Sequence, residues 1–170
     1  MSCLDPLYAQ TITLFNRMPG KKGEPTIWLP TVISGVHLIA GKSTSWDKSG
    51  GRNANDVRLH VRYRKDGDKV LVCCASPNAS DGAIYKQWYE PKAWKRLLTP
   101  EDSITFSFGE DSDFDFFMEG KFDEYPSPIS DENFGFKGFY GYITENHDNV
   151  FAIKSVNRYN LIPHFEIQAR

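Results

Sequence analysis

The chain closes on Val150-Phe151-Ala152-Ile153-Lys154-Ser155-Val156-Asn157-Arg158-Tyr159-Asn160-Leu161-Ile162-Pro163-His164-Phe165-Glu166-Ile167. Phe151, Ile153 and Ser155 fall on one side of an extended chain, and Val150, Ala152 and Lys154 on the other. Further on, Phe165 and Ile167 face one way and His164, Glu166 and Gln168 the other, the period of two of a half-buried strand. Asn157 and Asn160 supply turn chemistry between them, and Pro163 fits only a strand start or an edge. The stretch reads as two strands joined by a corner. Strands this apolar need a partner, and the partner expected is the strand at the other end of the chain.

That first strand is Thr11 to Arg17, where Ile12 and Leu14 alternate with Thr11, Thr13 and Phe15. The turn cluster Pro19 to Pro25 sends the chain back antiparallel through Thr26 to Ile33, with Pro30 marking an edge or a bulge, and Val36 to Ala40 is a further apolar run. Val57 to Arg64 alternates most strictly: Val57, Leu59, Val61 and Tyr63 against Arg58, His60, Arg62 and Arg64. Lys65-Asp66-Gly67-Asp68 then turns it into Lys69 to Ala75, a hairpin. Pro91 to Leu98 reads as the helix, with Pro91 in its first turn and Trp94, Leu97 and Leu98 on one face. Ile104 to Gly109 reads as a strand with Ile104, Phe106 and Phe108 together.

Two segments lack such periods. Residues 41–55 are rich in Gly, Ser, Asp and Asn around one large apolar side chain, Trp46, and residues 110–139 mix acids with aromatics. Both are expected as long loops. The whole then reads as one mainly β domain over residues 1–170: an antiparallel β-barrel or sandwich with one short helix and loop insertions at 41–55 and 110–139.

Composition bounds the function. With 170 residues, 40% hydrophobic and 14% aromatic, the chain can bury a sizeable core. A net charge of -2 argues against a protein that coats nucleic acid with its whole surface. No apolar run reaches bilayer length and Met1 to Pro6 lacks the regions of a signal peptide, so no membrane partner and a cytosolic origin are expected. Cys3, Cys73 and Cys74 are an odd set, and neighbours in a strand point to opposite faces, so free thiols are expected rather than a disulfide framework.

The motifs that suggest catalysis or metal each lack their context. Gly41-Lys42-Ser43-Thr44 is not preceded by a glycine at phosphate-loop spacing, and it runs into Trp46-Asp47-Lys48-Ser49-Gly50 rather than a helix signal. Asp111, Asp113 and Asp115 alternate like calcium ligands, but the glycine of the sharp turn is missing and the twelfth position is Phe122. A strand with Phe114 and Phe116 inward and the acids in water explains the spacing. His37, His60, His147 and His164 lack zinc-site spacing, and Cys73-Cys74 lacks the two-residue gap. No catalytic, cofactor or metal residue is assigned, and no enzyme is expected; a hydrolase using Cys73 or a histidine ranks last. The row Arg58, His60, Arg62, Arg64 presents a cation every ~7 Å along one face, commensurate with a phosphate backbone or with acids on a neighbour.

Three passages together resemble a known group. Thr11-Ile12-Thr13-Leu14-Phe15-Asn16-Arg17 leading to Trp28-Leu29-Pro30-Thr31-Val32-Ile33-Ser34-Gly35-Val36 resembles the start of the small β-rich head-tail joining (neck) and minor structural proteins of tailed bacteriophages and prophages. Leu97 to Phe106 is similar to their passage from helix through an acidic turn to a strand, and Ile153 to Val156 with Leu161 to Ile167 looks like their terminal strands. The resemblance implies a virion protein of the neck, assembled in the host cytoplasm as a ring of roughly six or twelve identical copies. Its implied partners are itself, the portal or adaptor protein and the tail terminator or tail proteins, with passive contact to channel DNA. On that reading Arg58, Arg62 and Arg64 face the channel or the next subunit, and Trp46 anchors a loop in a neighbour. A tail terminator or minor tail protein is the nearest alternative, and a carbohydrate-binding β module using Trp and Tyr is the alternative of another class.

Overall fold

The computed structural model describes residues 6–41, 43–47, 50–54, 56–75, 82–97 and 104–170, with residues 43–47 and 50–54 as backbone. A 3-10 turn at Pro6–Tyr8 precedes β1 (Gln10–Met18) and β2 (Ile27–Ala40). There follow β3 (Ser43–Asp47), β4 (Gly50–Ala54), β5 (Val57–Arg62), β6 (Arg64–Asp66), β7 (Lys69–Ala75), β8 (Ala83–Trp88), the helix α1 (Pro91–Lys95), β9 (Thr105–Phe106), β10 (Phe116–Glu119) and β11 (Ile129–Ser130). A 3-10 segment, Asp131–Lys137, runs into α2 (Gly138–Asn146), and β12 (Val150–Tyr159) and β13 (His164–Ala169) end the chain.

Closure of the sheet turns on Gly35. β2 pairs with β1 from Ile27 to Val36 and with β5 from Val36 to Ala40. The register slips by one residue at Gly35, whose φ of +69° only glycine adopts without strain. The bulge sits where β2 runs past the end of β1 and continues along β5. The strands β1, β10, β12, β13, β5 and β2, returning to β1, make a closed six-stranded barrel in which every pair is antiparallel. Of the two architectures expected, the barrel is the one formed. β7, β8 and β9 extend the sheet from β2, the last pair being parallel, and β3 and β4 form a separate hairpin.

Two apolar cores result. The larger contains Ile12, Leu14, Val36, Leu59, Val61, Phe117, Ile153, Phe165 and Ile167, continued under the sheet extension by Val72, Trp88, Phe106 and Phe108. The second packs Phe15, Trp28, Phe116, Met118, Phe122 and Ile129 against Phe139 and Ile143 of α2. Consequently β1 and β10 are buried on both faces.

Several expectations change. β13 pairs with β12 and β5, not with β1, because β10 lies between β1 and β12. β10 comes from the segment read as a loop: Phe116, Phe117 and Met118 form an unbroken buried run rather than an alternation. That segment also supplies β11 and the 131–146 helical stretch, and residues 41–55 carry the β3–β4 hairpin. The expected helix is present as α1, with Trp94 buried, and Leu98 lies outside the described residues. Ile104 is exposed, whereas Phe106 and Phe108 are in the core.

Candidate functional site

β5 behaves as its alternation demands. Val57, Leu59 and Val61 enter the core while Arg58, His60 and Arg62 face out. The strand ends one pair earlier than expected: Tyr63 breaks it, its N–H donating to Pro163 O at 3.3 Å and its hydroxyl to Tyr159 O at 2.7 Å. Arg64 therefore begins β6, which pairs with β7. The row is thus not a uniform comb of cations. The Arg62 guanidinium lies over the Tyr8 ring at 3.7 Å and that of Arg64 over Tyr85 at 3.8 Å, contacts worth about 0.5–1 kcal/mol at exposed positions.

Register brings other residues to the centre of this face. His60 stands opposite His37 on β2 and opposite Glu166 on β13, with His164 two residues away on the same side of β13. Rings then follow one another across the barrel: Tyr8 to His37 at 5.8 Å, His37 to His60 at 5.8 Å, His60 to His164 at 5.7 Å and His164 to Tyr159 at 4.9 Å. The last pair stacks within 11° of parallel. His164 Nδ1 lies 2.7 Å from Ile162 O. A carbonyl only accepts, so Nδ1 carries the proton and the neutral ring keeps its lone pair on Nε2.

One nitrogen or oxygen from each of His60, His164 and Glu166 lies within 4.8 Å of the others. Partial burial lowers the pKa of His60 below its ordinary value; Glu166 opposes this, and His164, His37 and Arg58 add to it. Sequence spacing could not show the cluster, because His60 lies 104 and 106 residues from His164 and Glu166 and only the pairing of β5 with β13 joins them. The signal that was present is the strand period, which sets His60, His164 and Glu166 on outward faces.

The other candidates separate. Asp111 pairs with Lys154 at 3.6 Å and Asp113 with Lys95, while Asp115 is buried. The expectation that all three acids face water fails at Asp115. Its carboxylate accepts from Asn16 Nδ2 at 2.7 Å, Gly109 N at 2.7 Å and Arg17 N at 2.8 Å, tying β10 to β1 and to the chain after β9. Burial pushes its pKa up to about 7 against the pull of those donors. Cys74 is buried and its thiol is pushed up to about 12 by burial, while Cys73 points to the half-buried side. Ser43–Asp47, after the glycine-lysine pair, is a strand and not a helix.

An open groove of about 600 Å³ runs between β8, α1 and β12, with Trp88, Phe108 and Phe165 beneath and Glu90, Lys92 and Arg158 at its rim. Trp28, Trp88 and Trp94 are all buried, and the Arg158 guanidinium lies over the Trp88 ring at 5.3 Å. Trp46 lies on β3 opposite Gly51, and its side chain is outside the described residues. No described helix is long and apolar enough to cross a membrane.

No curated protein and no solved structure matches the chain. A family model does, over residues 7–170, so the barrel, the helical cap and the histidine face all lie inside the matched region. The chain belongs to the family of unknown function DUF6751.

Proposed function

We propose that this protein is a non-enzymatic structural subunit of a tailed-phage particle, forming a ring at the head-tail junction between portal and tail. The observation that carries the reading is the tip of the β12–β13 hairpin. Leu161 is 97% and Ile162 72% exposed, on a turn held between two long barrel strands. Large apolar side chains presented so fully on a rigid hairpin are surfaces for another protein. Phe136, fully exposed beside α2, offers a second such point. The closed barrel supports the reading as a body that can hold a ring's radius, and the β3–β4 hairpin, paired among the described residues only with itself, supports it as an arm to a neighbour.

In this reading Arg58, Arg62 and Arg64 contact channel DNA or acids of the next subunit. Charge reversal there alters DNA retention in the first case and ring formation in the second. The direct test is co-assembly with portal and tail components of the wild type and of a Leu161→Asp, Ile162→Asp double variant. The wild type is expected to enter ring-shaped complexes and the double variant, folded, to stay out. Equal assembly by both overturns the role of this tip, and no assembly by the wild type with any component overturns the ring.

A further inference from the structure

We propose that His60, His164 and Glu166 form a binding site for a divalent ion of the zinc class, clipping β5 to β13 on the outer face of the barrel. Two imidazoles and a carboxylate are a donor set suited to zinc, cobalt(II) and nickel(II) and poorly suited to calcium or magnesium, which favour all-oxygen shells.

The geometry argues for more than a chance meeting of side chains. All three donors stand on adjacent antiparallel strands of a closed barrel, so their backbone positions are fixed by the register His60 to Glu166 and Arg62 to His164. The ring of His164 is held twice: by stacking on Tyr159 at 4.9 Å and by the Nδ1–H bond to Ile162 O at 2.7 Å. A backbone carbonyl on one ring nitrogen is the orienting contact that ligating histidines ordinarily have, and it leaves Nε2 with the lone pair. The donors lie within 4.8 Å of one another. A tetrahedral ion with bonds of about 2.0–2.2 Å needs them about 3.3 Å apart, so half-buried side chains have to draw in by on the order of 1 Å.

Charge at the site is offset in part. Glu166 brings a negative charge to the ion, and the nearest arginine along β5 towards His164, Arg62, has its guanidinium turned onto Tyr8 at 3.7 Å. Arg58, two residues from His60, is the cation that opposes binding. His37, stacked on the outer side of His60 at 5.8 Å, stands next to the set rather than in it. Three protein donors leave a fourth position for water or for a group from another chain.

The test is titration of the full-length, metal-free protein with zinc and with cobalt(II) at pH 7.5. Stoichiometry is read by native mass spectrometry, coordination by the cobalt visible spectrum, and stability by thermal unfolding. The expected result is one ion per chain, a tetrahedral cobalt spectrum and a raised unfolding temperature. His60→Gln, His164→Gln and Glu166→Gln should each weaken binding by at least about tenfold to 100-fold, with circular dichroism unchanged. His147→Gln, which alters a histidine paired with Glu124 elsewhere, should bind as the wild type does. No binding of either ion at up to millimolar concentration overturns the proposal, and so does binding that survives in the triple variant.

Discussion

Asp115 shows how a single residue can defeat the pattern around it. Alternation with Phe114 and Phe116 places it in water, yet it is buried because Asn16 and Arg17, far away in sequence, and Gly109, six residues before it, converge N–H donors on it. That information is in no local period. Its pKa, about 7 against an ordinary 3.8, means the folded state holds the proton more tightly than the unfolded chain. The stabilisation is therefore full below about pH 3.8 and is lost as pH rises through about 7. Urea unfolding at pH 5 and pH 8 should show the wild type losing about 2–3 kcal/mol more than Asp115→Asn over that interval. His60, held below 6.5, favours the fold as pH rises, but it is common to both proteins and cancels in the comparison. Asp131 is a second such residue: its Oδ1 accepts from the buried Trp28 indole at 2.7 Å and from Phe139 N at 2.8 Å. Asp131→Ala leaves both donors without that partner and should cost about 1–3 kcal/mol in denaturant unfolding. By contrast, the outward set of Arg58, His60 and Arg62 was legible, because β5 has one wet face and one dry one.

The same rule sorts the elements. β5, β7 and β13 could be read from their periods, since each buries only alternate residues. β10 could not, because Phe116 and Met118 serve one core and Phe117 the other, leaving no polar face to mark the strand. The 131–146 helical stretch was hidden by Gly135, Gly138 and Gly141, although Phe139 and Ile143 stand four apart and both are buried. If α2 is anchored as described, Phe139→Ala should destabilise the protein by about 3–5 kcal/mol, the ordinary cost of emptying a buried aromatic site. Ile104→Ala, at a 53% exposed position, should change unfolding by no more than about 0.5 kcal/mol. Similar losses for the two would place the second core wrongly. Gly35→Ala belongs with these: a left-handed φ of +69° costs an alanine about 1–2 kcal/mol, and unfolding at or above wild-type stability would remove the bulge from the account of closure.

For the molecule as a whole, the class of fold followed from many short strands and frequent turns, but the closing order did not. The last strand needed a partner, and the first strand looked the best one. The chain instead inserts β10 there and gives β13 to β5, a choice set by three-dimensional packing of both faces. That choice is also what assembles the histidine face, so the cluster was no more legible than the topology. The proposed role is that of a ring subunit engaging its partners through the exposed hairpin tip. It is tested most directly by the mass of the purified protein in solution, alone and mixed with portal and tail components, using light scattering with negative-stain imaging. Rings are expected, formed alone or on mixing, and a chain that stays monomeric with every component overturns that role.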